Sequence, residues 1–293
     1  MLKRPASSIP NFLLILFVNV SRPTLITSLQ NPLVKEIRKL HQTKGRREQN
    51  RLLIEGTHLI ETAYQTNCSF TNFFYTNDWQ TKNSLLWQQV SQCSEDCVQV
   101  SPEVLSTLAT TVNPDGAIAT LNRAQFLPTS PTSPSPPTLG LILERLQDPG
   151  NLGTIMRTAV ATGVEALWVS EDTVELDHPK VLRASAGSWF HLPKTTCPDL
   201  PQLLTHLQQQ GLQVIATLPT AQQCYWDLDF SRPSVLVLGN EGNGLSAKLT
   251  ALADQRVLIP QRQTVESLNV AIAASVLLYE VQRQRWQNSQ GSD

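Results

Sequence analysis

No excess of either charge marks this 293-residue chain: 23 Lys and Arg stand against 24 Asp and Glu. Net charge therefore does not point to a polyanionic partner, and any nucleic-acid surface has to be local. Cysteine is scarce and odd in number, five residues at 68, 93, 97, 197 and 224. That excludes a disulfide framework and suits a reducing, cytoplasmic setting. Cys93 and Cys97 lie close together, but no second pair or histidine cluster completes a zinc site, so no metal is expected. A bilayer span needs about 20 apolar residues, and the run Phe12–Val18 is far shorter. Lys3 and Arg4 before it imitate a secretory signal, yet no small-x-small cleavage pattern follows. Residues 1–24 are read as a disordered extension, and no membrane association is expected. The glycines form neither the G-x-G-x-x-G dinucleotide fingerprint nor a Gly-Lys-Ser/Thr phosphate loop, which disfavours a nucleotide-binding oxidoreductase and a P-loop enzyme.

The chain does contain a low-complexity break. Residues 127–137 carry five prolines and no charge, a composition that favours extended polyproline conformation. The expected organisation is one domain over 25–124, a linker over 125–138 and a second domain over 139–287. In the first, strands are expected at Leu52–Ile54, Phe70–Tyr75, Val98–Val100 and Ala117–Leu121, with helices at Thr57–Tyr64, Ser84–Val90 and Pro102–Leu108. This makes a small α/β domain. In the second, strands near 139–143, 166–170, 213–218, 234–239 and 255–259 alternate with helices near 152–162, 179–186, 201–210, 245–252 and 267–285. Such alternation calls for a mostly parallel sheet with helices on both faces.

Three polar-glycine blocks follow expected strands, where the loops of an open parallel sheet bind ligands. The first runs from Asp148 to Arg157. Gly150 and Gly153 permit a tight turn, Asn151 is placed to cap a helix, and Leu152, Ile155, Met156, Ala159 and Val160 form its apolar stripe, ended by Gly163. Arg157, one residue off that stripe, either reaches a cleft beside the helix or is solvated. The second block, Gly239–Gly244, holds Glu241 inside a glycine turn, where a carboxylate would repel phosphate but tolerate a cation and hold Arg157 or substrate hydroxyls. The third runs from Ile259-Pro260 to Ser267-Leu268-Asn269 at the start of an apolar helix; Ser267 alone would read as a cap.

In order, spacing and wording the three blocks resemble the SpoU class of the SPOUT superfamily, RNA ribose 2′-O-methyltransferases that use S-adenosylmethionine, over roughly residues 139–287. The resemblance implies a trefoil-knotted methyltransferase fold. It assigns cofactor contact to Leu218, Gly239, Ile259 and Leu268, and polar catalytic roles to Asn151, Arg157, Glu241, Ser267 and Asn269. Glu144 stands where the family commonly has Asp, and Gln261, Gln263 and Thr264 replace its usual Met and glycines, leaving a stiffer or bulkier third loop. Residues 177–187 also match, and there Lys180 and Arg183 are open to two readings, RNA contacts or solvated helix residues.

Basic residues concentrate between 35 and 51: Lys35, Arg38, Lys39, Lys44, Arg46, Arg47 and Arg51 against Glu36 and Glu48. This patch would bind phosphate in a salt-dependent way. The segments around it, Ile26–Lys35 and Arg51–Gly56, resemble the RNA substrate-binding domain attached to many SpoU enzymes. The two-domain layout favours large-subunit ribosomal RNA over transfer RNA. A catalytically silent RNA-binding assembly factor is the competing reading, against which stands the presence together of the five polar site residues. The apolar stripe Val270, Ala273, Ala274, Leu277, Leu278 and Val281 on the last helix, with the resemblance, implies a homodimer.

Overall fold

A computed structural model describes residues 25–127, 136–262 and 267–290. The extension 1–24, most of the proline-rich linker, and Gln263 and Thr264 lie outside the described residues.

The N-terminal half is built from α1 (Pro32–Arg38), α2 (Thr43–Gln49), β1 (Arg51–Glu55), α3 (Thr57–Gln65), β2 (Phe70–Tyr75), α4 (Asn77–Lys82), α5 (Ser84–Gln92), β3 (Ser94–Gln99), α6 (Pro102–Leu108) and β4 (Ala117–Asn122). Its sheet has the order β1-β4-β2-β3. The pairs of β4 are antiparallel and β2 pairs β3 in parallel. Leu59, Ile60 and Trp79 pack on one face, while Val34 and Ile37 of α1 and Val104 and Leu108 of α6 pack on the other. The charge run 35–51 thus contains two short helices that charge alone did not reveal.

The C-terminal half comprises β5 (Leu139–Leu143), α7 (Pro149–Ala161), β6 (Ala166–Ser170), α8 (Pro179–Ala184), β7 (Lys194–Cys197), α9 (Leu200–Gln209), β8 (Gln213–Thr217), β9 (Gln223–Cys224), β10 (Ser234–Leu238), α10 (Ala247–Leu252), β11 (Gln255–Leu258) and α11 (Val270–Gln290). Seven strands run in the order β7-β6-β5-β10-β8-β11-β9, and every pairing is parallel. The central strands β5 and β10 are buried along their whole length, as parallel strands covered by helices on both faces must be. Leu152, Ile155 and Met156 of α7 and Leu277 and Leu278 of α11 seal one face, and Leu204 and Leu207 of α9 with Leu249 of α10 seal the other.

Three expectations need correction here. Helix α7 begins at Pro149 with Asp148 as its cap, the side chain accepting from the Asn151 backbone N–H at 2.8 Å. Asn151 therefore lies inside the helix, its amide free for other work. Gly153 serves packing, not a turn: a Cβ there would lie 2.5 Å from the Ala184 Cβ and 2.7 Å from the Val181 carbonyl oxygen, where α8 crosses α7. The stripe on α11 assigned to a dimer is core, with Val270, Ala274, Leu277, Leu278 and Val281 buried. The apolar residues α11 does expose are Ile272, Tyr279 and Trp286.

The two halves are in contact despite the linker. Phe126, following β4, packs against Trp189 and Phe190 with ring centroids 5.4 and 5.8 Å away. Arg46 of α2, expected on an RNA-facing surface, is fully buried beside Glu175 and Asp177 of the C-terminal half.

Candidate active site

The carboxyl ends of β8, β10 and β11 open into a cleft of about 330 Å³, lined by Leu218, Gly239, Glu241, Ile259, Ser267 and Leu268, with Thr217, Asn240 and Ala273 among its other walls. All four residues expected to contact a cofactor are in this wall. Gly239 is required by close approach: a Cβ there would lie 2.2 Å from the Gly244 carbonyl carbon and 2.3 Å from the Leu245 nitrogen. The loop doubles back on itself at this point, Asn240 and Gly244 exchanging backbone hydrogen bonds of 2.9 and 3.1 Å. At Gly239 and Gly244 this leaves bare peptide groups on the cleft surface, beside the side chains of Asn240 and Glu241.

A hydrogen-bonded chain of three polar side chains links the first turn of α7, the loop after β10 and the residue that precedes α11. Asn269 donates through Nδ2 to Asn151 Oδ1 at 2.9 Å, and Asn151 donates through Nδ2 to Glu241 Oε1 at 3.1 Å. Residues 118 and 90 positions apart are thereby brought together. The Asn269 Oδ1 also accepts from the backbone N–H groups of Ala271 and Ile272, at 2.9 and 3.3 Å, so Asn269 and not Ser267 caps the last helix. Glu241 is held by Asn151 and not, as one expectation had it, by Arg157. Arg157 is exposed on α7, does not line the cleft, and makes no hydrogen bond or ion pair among the described residues. Ser267 is exposed in the cleft wall.

Sequence reasoning missed two residues. Asn240 fixes the loop that carries Glu241: its Oδ1 accepts from the Gly242 and Asn243 N–H groups at 2.9 and 3.0 Å, and its Nδ2 donates to the Arg145 carbonyl at 2.8 Å. The signal was an Asn inside a glycine turn, the residue that makes Asx turns. Thr217 ends β8 in the cleft wall, and its buried hydroxyl has no hydrogen-bond partner among the described residues. Such an orphan is costly unless something fills the cleft. At the start of α7, Asp148 is held below the usual carboxylate range by the Asn151 N–H it accepts and by Lys180, whose Nζ lies 3.5 Å away.

The basic segment is divided. Lys35, Arg38, Lys39, Lys44 and Arg47 are exposed, while Arg51 is half-buried with its Nη1 3.2 Å from Glu36. Arg183 points into the contact between the halves, with Nη1 3.3 Å from Glu55. Among the described residues no group of His, Cys, Asp and Glu could hold a metal, and no helix is long and apolar enough to cross a membrane.

A covered parallel sheet with a ligand-sized cleft at its strand ends, walled by apolar side chains and a glycine loop, is the architecture of an α/β protein that binds a small ligand outside the carboxyl ends of its strands. The chain belongs to the SpoU rRNA methylase family, whose model matches residues 138–279, and a MRM3-like substrate-binding domain matches residues 31–119. It is 53% identical to an uncharacterized tRNA/rRNA methyltransferase of Synechocystis over 89% of this chain and 94% of that protein. It is 31% identical to the Bacillus subtilis 23S rRNA (guanosine(2553)-2′-O)-methyltransferase over 87% of this chain and 98% of that protein. Among solved structures it resembles an RNA 2′-O ribose methyltransferase, with a TM-score of 0.78, 35% identity and coverage of 90% of this chain and all of the other. It also resembles the AdoMet-bound rRNA methyltransferase of Sinorhizobium meliloti, with a TM-score of 0.76 at 30% identity over 90% and 98% of the two chains.

Proposed function

We propose that this chain transfers a methyl group from S-adenosylmethionine to a ribose 2′-hydroxyl of large-subunit ribosomal RNA, in the cytoplasm and as a homodimer. Membership of the family makes it an RNA methyltransferase that uses S-adenosylmethionine. The observation that carries the reading is the Asn269–Asn151–Glu241 chain at the edge of the cleft. The cleft fits the cofactor: Leu218, Ile259 and Leu268 offer apolar walls, the Gly239–Gly244 loop offers backbone groups, and Thr217 offers an unsatisfied buried hydroxyl. Among the described residues of that wall the charged side chain is the Glu241 carboxylate, which suits a sulfonium.

When bound, S-adenosylmethionine supplies an already activated methyl group, so the protein's work is chiefly placement. Asn269 and Asn151 donate in sequence, which fixes the Glu241 carboxylate as an acceptor facing the incoming ribose. Ser267, in the same wall, adds a second hydroxyl contact. Arg157 cannot act as a base, because its guanidinium does not lose a proton in proteins; it orients the attacking hydroxyl and an adjoining phosphate. The exposed lysines and arginines of α1 and α2 grip the RNA backbone. The loops at the ends of β10 and β11 are the segments that the family's trefoil knot would tie together.

The dimer rests on α11. Ile272, Tyr279 and Trp286 recur every seven residues and are 53%, 54% and 64% exposed, more apolar surface than one helix leaves in water without reason. Arg157 stands outside its own cleft on the neighbouring helix, where a two-fold could bring it to the other copy's cleft. Light scattering should give twice 32.5 kDa at micromolar concentration, and one chain's mass would refute the dimer.

Replacing Leu268 with Asp puts a second carboxylate into the cleft wall, and calorimetry on the full chain should show cofactor affinity falling at least a hundredfold, since an unpaired charge is costly where a ligand excludes water. Parent-like affinity would place the cofactor elsewhere. The transfer itself is checked with methyl-labelled cofactor and an unmodified ribosomal RNA transcript. Protein-dependent label in the RNA is expected, and its absence would leave the silent-binder reading.

A further inference from the structure

The contact between the two halves is more specific than adhesion requires. Phe126, Trp189 and Phe190 already supply an apolar patch, yet ionic pairs are buried around it. Arg46 is completely buried: its guanidinium pairs with Glu175, its Nε lies 3.4 Å from Asp177, and its Nη1 donates to the Leu40 and His41 carbonyls at 3.2 and 3.3 Å. Arg123, just after β4, donates to the same Asp177 oxygen at 2.6 Å, and the Asp177 side chain is 1% exposed. Arg183 of α8 reaches back to Glu55 at the end of β1, whose side chain is 4% exposed. Three separate elements of the N-terminal half are therefore held by one short segment of the other half, residues 175–183.

That segment is in turn locked to the catalytic helix. Helix α8 crosses α7 at Gly153 with no room for a Cβ, and Lys180 lies 3.5 Å from Asp148, the cap of the helix that carries Asn151. Apolar contacts tolerate sliding, whereas buried ions hold only one register, because displacement leaves charges unpaired in a low dielectric. The charges also change sign across the contact, with arginines of the N-terminal half meeting carboxylates of the other and Glu55 meeting Arg183.

We infer that this clamp, centred on Arg46, Asp177 and Glu55, is a specificity determinant: it fixes the distance and angle between the exposed basic face of α1 and α2 and the cleft, and so selects which ribose of a gripped RNA reaches Glu241. The inference rests on the methyl-transfer reading above. Its residues touch neither RNA nor cofactor; they act by positioning one half against the other.

The test uses the full-length protein, methyl-labelled S-adenosylmethionine and an unmodified large-subunit ribosomal RNA transcript, with the label mapped by nucleotide. The variants are Arg46→Met, Arg46→Lys and Arg183→Gln, each checked for folding by circular dichroism and for cofactor affinity by calorimetry. The readout is the ratio of label at the parent's ribose to label at all other riboses. In the folded variants this ratio should fall at least tenfold while cofactor affinity stays within twofold, with Arg46→Lys intermediate because its single ammonium keeps the charge but loses the fork. If Arg46→Met does not fold, Arg183→Gln, whose side chain is only partly buried, is judged by the same ratio. An unchanged ratio in the folded variants, whether the total rate is normal or uniformly reduced, overturns the inference. A parent protein that places no methyl on RNA refutes the methyl-transfer reading instead.

Discussion

Replacing Arg157 with Ala should lower single-turnover methyl transfer by a factor on the order of a hundred or more, while cofactor affinity stays within a few fold. The side chain is exposed on α7, has no partner among the described residues and is absent from the cleft wall. Neither fold stability nor cofactor contact should therefore depend on it. What it can supply is a planar fork of donors for a hydroxyl and a phosphate that arrive with the RNA. Arg157→Lys should recover only part of the rate, because an ammonium keeps the charge without the bidentate geometry. Saturating RNA separates orientation from binding: the loss should appear in the rate of the bound complex. Transfer by the Ala variant at the parent rate would remove Arg157 from the reaction.

Arg46→Ala should destabilise the protein far more than Arg47→Ala, although the two are adjacent and both were expected to meet RNA. Arg46 is buried between Glu175 and Asp177, and its removal leaves Glu175 with Arg47 alone and the buried Asp177 with Arg123 alone. Breaking a buried pairing typically costs about 3–5 kcal/mol, and the remaining arginines hold the loss to the lower part of that range. The Arg47 side chain is 64% exposed and pairs with Glu175 at 2.7 Å, a contact worth at most about 1 kcal/mol in solvent. Urea unfolding of both variants should show the difference directly. Arg47→Ala should instead weaken RNA binding and flatten its dependence on salt. Equal stabilities for the two variants would mean that the buried pairing is not what holds Arg46.

The contrast between these neighbours shows what local pattern reveals and what it hides. The partners of Arg46 lie 129 and 131 positions away, so a charge run reads the same whether its members face water or another part of the chain. Strands β5 and β10 were legible because strands buried on both faces are continuous apolar runs, and α7 was legible from its apolar stripe. Strand β7, begun by a buried lysine, and the two-residue β9 sit at the sheet's edges and carry no comparable signal. Asp148-Pro149 did carry the signal for the start of α7, a capping carboxylate followed by proline in the first turn, but the glycines after it drew the boundary too late. Within the site, motif order indicated which loops converge. It did not show how, since the Asn269–Asn151–Glu241 chain depends on the packing of α7 and α11 and not on spacing along the sequence. The exposed stripe on α11 was misjudged for a related reason: helical periodicity identifies faces, and only the fold decides which face meets the sheet.

The most direct measurement is the chemical position of the methyl group. Ribosomal RNA transcript methylated by the protein with labelled S-adenosylmethionine is digested to nucleosides, and the labelled product is resolved by chromatography and mass spectrometry. The structure predicts label in a 2′-O-methylnucleoside, absent when Asn151→Ala or Glu241→Gln replaces the parent chain. Label on a base, or ribose methylation undiminished in both variants, would contradict the assignment of this cleft.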